Sequence, residues 1–112
     1  MIVSSEDAAL LFARWMQDSA AVRIKLLSSA LIFDAAGFVA EFSHEALGLN
    51  GSSWRLTVPL AGAQFSFSDP REIPIASVRE AESARYEFGV GIELPTGDRL
   101  SLLELKRGED GG

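Results

Sequence analysis

The pattern of apolar residues predicts an α+β fold, with an N-terminal helix packed on a strongly curved antiparallel sheet or small barrel of five to six strands. Two observations carry this expectation. One stretch of helical spacing ends near Ser19, and after it apolar residues recur at every second position in run after run. Glycines at positions 37, 48, 62, 89 and 91 stand in or beside those runs, where bulges and corners let a sheet bend. The expected organisation is a single domain over residues 1–112. It comprises a helical segment 1–20, an antiparallel meander 21–107 with an irregular insertion at 69–84, and a frayed tail at 108–112.

Ser4 followed by Asp7 resembles a capping box, and Glu6 and Asp7 place negative charge at the positive end of a helix. A helix from about Ser5 to Asp18 follows. Ala8, Leu11, Phe12, Trp15 and Ser19 fall on one face of it, so Trp15 is expected to anchor the core. Val22, Ile24 and Leu26 then alternate with Arg23 and Lys25 as a strand with one wet face. From Leu26 to Phe33 the period is lost, leaving one bulged strand or two short ones. Asp34-Ala35-Ala36-Gly37 reads as a connection, and Phe38, Ala40 and Phe42 as the inward face of the next strand.

Asn50-Gly51 suits a tight hairpin, opposite which Trp54, Leu56, Val58 and Leu60 resume the alternation. Pro59 marks an edge, a bulge or a strand end, because it has no amide to donate. Phe65 and Phe67 share a face of a further strand, and two prolines in Asp69–Pro74 impose a turn. Residues 75–84 read as a short helix or as a charged loop. Tyr86, Phe88, Val90, Ile92 and Leu94 alternate, Pro95-Thr96-Gly97-Asp98 turns, and Leu100 to Leu105 returns as a closing hairpin.

Composition bounds the function. With 112 residues, 47% hydrophobic and 23% charged, the chain can bury an ordinary core. No cysteine is present, so disulfides, thiolate nucleophiles and zinc ribbons are excluded. Residues 1–7 lack a secretory pattern and no apolar run reaches bilayer-spanning length, so a cytoplasmic protein without membrane contact is expected. The net charge of −6 argues against nucleic acid, and the best basic pair, Lys106-Arg107, is followed by Glu109-Asp110.

Catalytic signals are sparse. His44 is the only histidine and no Gly-x-Ser-x-Gly elbow occurs; unbroken alternation places His44 on the apolar face near its strand's end, partly buried. No metal-ligand spacing and no cofactor motif are present; Gly89-Val90-Gly91 lies inside a strand and lacks the helix a phosphate loop needs. In topology alone, a helix with a curled sheet resembles the Sm-like RNA-binding barrels and the PilZ domains. Lys106-Arg107-Gly108 is not followed by a strand as in the former, and the paired arginines and Asp-x-Ser-x-x-Gly word of the latter are missing, so no family is assigned.

The middle of the chain is charge-poor, with Glu41, Glu45 and Arg55 the only charged side chains between residues 35 and 68. Its outward positions, Val39, Ser43, Arg55, Thr57 and Ser66, suit contact with a second copy or another protein, since little charge would be desolvated. The first expectation is therefore a non-enzymatic protein-interaction domain that self-associates. The alternative is a small-ligand domain with a pocket of Phe65, Phe67, Tyr86 and Phe88, given polarity by His44 or Arg71. An enzyme centred on His44 comes third.

Overall fold

The computed structural model describes residues 2–106, and the tail expected at 108–112 lies outside them together with Arg107. In chain order the elements are β1 (Ile2–Val3), α1 (Ser5–Asp18), β2 (Val22–Leu27), β3 (Ile32–Phe42), β4 (Ala46–Asn50), β5 (Arg55–Pro59), β6 (Gln64–Ser68), a 3-10 turn (Pro70–Glu72), α2 (Ala76–Arg85), β7 (Tyr86–Glu93) and β8 (Arg99–Leu105). The strands form one antiparallel eight-stranded sheet in the order β1-β6-β7-β8-β2-β3-β4-β5. The fold is α+β as expected, with eight strands in place of five or six.

α1 begins and ends where its sequence dictates. Ser4 Oγ accepts the Asp7 amide at 3.1 Å, and Ser19 closes the helix in the left-handed conformation, φ 49°. Ala8, Leu11, Phe12 and Trp15 are buried against the sheet. Phe12 lies 4.9 Å from the Phe42 ring on β3 and 6.4 Å from the Phe65 ring on β6, so one side chain touches strands four places apart in the sheet.

The connections explain how. From Pro59 at the end of β5 to Gln64 at the start of β6 is five residues, a reach of at most about 18 Å. Six flat inter-strand spacings would separate these strands by about 29 Å. The sheet therefore rolls round α1 and its ends approach, but β5 and β1 are both edges and no barrel closes. Pro59 ends the β5 edge, where a missing donor costs nothing.

Two strands escape the periodic reading. β1 is two residues long, and β4 places Ala46, Gly48 and Asn50 on alternate positions, which leaves only Leu47 and Leu49 to show a period. The expected connection at Asp34–Gly37 is strand interior. Ser28–Leu31 turns the chain instead, with the Ser28 amide bonded to the Leu31 carbonyl at 2.9 Å, and Arg23 pairs with Asp34 across β2 and β3. Gly37 is required there, because a Cβ would stand 3.0 Å from the Trp54 ring and closer still to the Asn50 carbonyl.

Two bulges reverse expected faces. Ala40 is the extra residue in β3: Val39 pairs with Leu49, and Glu41 with Gly48. Phe42 and Val39 consequently both face the core, Val39 at 5% exposure, while Phe38 is turned out at 46%. The expected inward set of Phe38, Ala40 and Phe42 is thus broken, and Val39 is no surface residue. In β7, Tyr86 pairs with Leu105 and Gly89 with Leu103, so two residues oppose one and Tyr86 moves to the face away from α1.

Trp15 is fully buried, so Trp15→Ala should lower the unfolding free energy by about 3–5 kcal/mol in urea titrations. The bulge gives a paired test in the same assay. Val39→Asp should destabilise strongly by burying a charge, whereas Phe38→Ser should cost less than about 1 kcal/mol; equal effects would refute the assigned faces.

Candidate functional site

The aromatic pocket suggested by the sequence does not exist as such. Phe65 is buried beneath Phe12, and Phe67 packs edge-on to Phe88 at 5.2 Å, so these three fill the core side of the sheet. Tyr86 is buried on the opposite face, outside the core cluster, with the Arg85 guanidinium 5.6 Å from its ring centre.

The polar candidates stand apart from them. His44 is exposed in the Ser43–Glu45 turn rather than on a strand's apolar face, because the Ser43 hydroxyl accepts the Glu45 and Ala46 amides, both at 3.2 Å, and turns the chain early. It borders a small cleft of about 210 Å³ with Phe42, Leu60 and Gly62. Arg71 is self-contained: its guanidinium forks onto Asp69, Nε to Oδ1 at 2.9 Å and Nη2 to Oδ2 at 2.8 Å. Arg71's side chain and backbone amide together hold the Asp69 carboxyl below its ordinary range. Among the described residues, no three His, Asp or Glu side chains gather as a metal site.

The suggested interface is also scattered. Val39 is in the core and Ser43 caps a turn. Arg55 and Thr57 are exposed on the β5 edge, but Ser66 is on β6, six places away in the sheet. Reading the chain as a continuous meander puts β5 beside β6, and the rolled connection between them undoes that adjacency.

A different site emerges from the register. Across the face turned away from α1, Ile2, Ser66, Gly91, Ser101, Lys25 and Asp34 form one row through β1, β6, β7, β8, β2 and β3. The next row is Gln64, Glu93, Arg99, Leu27 and Ile32. These two rows line a groove of about 650 Å³. Its floor is low because Ser66, Gly91 and Ser101 are small; a Cβ on Gly91 would come within 2.9 Å of Ser66 Oγ. Its walls are apolar, since Ile2, Leu27 and Ile32 are exposed, Ile32 at 77%.

Charge in the groove is mostly paired. Arg23, one row further along, donates to Asp34 through Nε at 2.6 Å and Nη2 at 3.0 Å. Arg99 meets Glu93 at 3.4 Å. The side-chain hydrogen bond from Arg23 holds the Asp34 carboxyl below its ordinary value of 3.8 and raises Arg23 in turn. Of the candidate site residues read from the sequence, Ser66 and Phe65 line this groove, Phe65 lying between the two rows on β6. The visible signals are the alternate small residues Gly89/Gly91 and the pair Lys25/Leu27, and neither says which strands become neighbours.

Comparison of the sequence with known protein families and characterised proteins, and of the fold with solved structures, finds no match. Among the described residues no helix is long and apolar enough to cross a membrane.

Because the folded-state value of Asp34 is depressed, the Arg23 pair adds stability above the unfolded carboxylate value and loses it as pH falls through the lower, folded value. Wild type should therefore exceed Asp34→Asn in urea stability at neutral pH, with the gap beginning to close near pH 3.8 and vanishing only once the pH is below the depressed, folded value. A gap that persists in acid would point to a packing role for Asp34 instead.

Proposed function

We propose that this chain is a non-enzymatic binding domain whose working surface is the groove on the outward face of the sheet, and that its ligand is a small amphipathic molecule. The observation that carries this reading is the small-residue floor, Ser66, Gly91 and Ser101, set between the apolar walls of Ile2 and Leu27/Ile32. A volume of about 650 Å³ falls within the range of small-molecule sites, and such sites combine apolar lining with a few polar groups. The ligand alternative thus moves from the aromatic side of the sheet to its other face.

Self-association, or docking of another protein, is the second reading. Exposed Leu27, Leu31 and Ile32 at the β2–β3 hairpin favour it, because apolar side chains grouped on a surface mark contact sites. It places the interface at the β2–β3 hairpin rather than on Arg55 and Thr57.

Nile red, a neutral apolar dye, tests the first reading. It should bind wild type saturably, and Ser101→Phe, which fills the floor, should abolish binding while circular dichroism shows an unchanged melting profile. Loss of neither signal nor affinity in that variant would reject the groove as the site. Light scattering over a concentration series tests the second: a dimer that Ile32→Glu dissociates would support it, and a monomer at every concentration would exclude self-association.

A further inference from the structure

We infer that the groove receives an apolar monocarboxylate, with Lys25 as the partner of its carboxylate; this rests on reading the groove as a ligand site. Lys25 faces Asp34 directly across β2 and β3, a position that would normally pair them. Arg23 occupies both Asp34 oxygens, however, at 2.6 and 3.0 Å. Among the described residues Lys25 has no hydrogen-bonded or ion-paired partner. With Arg23 bonded to Asp34 and Arg99 to Glu93, Lys25 is left in the groove acting on Asp34 only through its field. Two cations, Arg23 and Lys25, thus share the one carboxylate of Asp34, and the local excess of one positive charge suits an anion of one charge.

The surroundings of that ammonium define the anion's chemistry. Ser101 lies directly across from Lys25 on β8, and its hydroxyl has no hydrogen-bond partner among the described residues. Ammonium and hydroxyl together can donate to the two oxygens of one carboxylate. A phosphate would call for more donors, such as a free arginine fork or a helix N-terminus, and the groove lining contains neither. Away from Lys25 the lining turns apolar at Leu27, Ile32 and, at the far edge, Ile2. The row from Ile2 to Asp34 crosses five inter-strand spacings, about 24 Å, which suits an extended alkyl chain better than a compact polar molecule.

Decanoate and decan-1-ol, which share a chain and differ in charge, separate this proposal from the reading beneath it. Each is titrated below its micellar concentration into the full-length chain, followed by amide NMR shifts, with wild type and Lys25→Met compared. Lys25→Met keeps an apolar stem and changes an exposed position, so the fold should persist. The expected result is decanoate-dependent shifts at Lys25, Ser66, Gly91 and Ser101. Lys25→Met should weaken decanoate by about tenfold and leave decan-1-ol unchanged. Decan-1-ol binding with decanoate excluded, or decanoate binding indifferent to Lys25→Met, would overturn the carboxylate assignment while the ligand site stands. If neither amphiphile nor Nile red binds, both readings fall together.

Discussion

The fold depends on how Trp15 is buried. Its indole is enclosed completely, and a buried N–H must find an acceptor; Glu104 Oε1 provides one at 2.9 Å. A carboxylate on the core side of a sheet is itself costly, and Arg14, on the preceding residue of the helix, offsets that cost by donating to the same oxygen at 2.9 Å. Two adjacent helical residues thus grip one residue of β8, and Glu104 pairs with Val22 in the neighbouring strand. Rotation of α1 on the sheet is fixed by this contact. Phe12 is thereby aimed into the space between β3 and β6, where the sheet rolls up around it.

Once that rotation is set, the two faces of the sheet serve different ends. The side toward α1 is filled by Val22, Ile24, Val90, Ile92, Leu100 and Leu102, and at the open end Trp54 lies against Gly37 and edge-on to Phe33 at 5.1 Å. The cleft at the edge of that side, beside His44, is small, about 210 Å³. On the other side the cross-strand row of Ser66, Gly91 and Ser101 leaves a depression. Small residues that would weaken an ordinary strand are tolerated because the same strands are held by large apolar side chains beneath.

The outward face carries ion pairs between neighbouring strands. Arg23 with Asp34 and Arg99 with Glu93 each bridge adjacent strands, and each contributes modestly because both partners meet water. The consequence is local rather than energetic: pairing consumes the acidic groups beside Lys25. A cation is left available next to apolar walls, which is the combination on which the proposed chemistry rests.

The amino-acid sequence by itself determined the helix and its buried stripe, the strands whose side chains alternate without interruption, the hairpins at Asn50–Trp54 and Pro95–Asp98, and the proline-imposed turn after Ser68. These are local matters, settled by capping, period and turn chemistry within a few residues. Tertiary structure decided the rest. One extra residue at Ala40 exchanged Val39 for Phe38 on the surface, and two residues opposite one in β7 carried Tyr86 away from the phenylalanines. A bulge exists only relative to its partner strand, so alternation read along a single strand cannot reveal it. The groove was hidden for the same reason: its floor is made of one residue from each of several strands, and their neighbourhood follows from the rolling of the sheet about α1, not from their order in the chain.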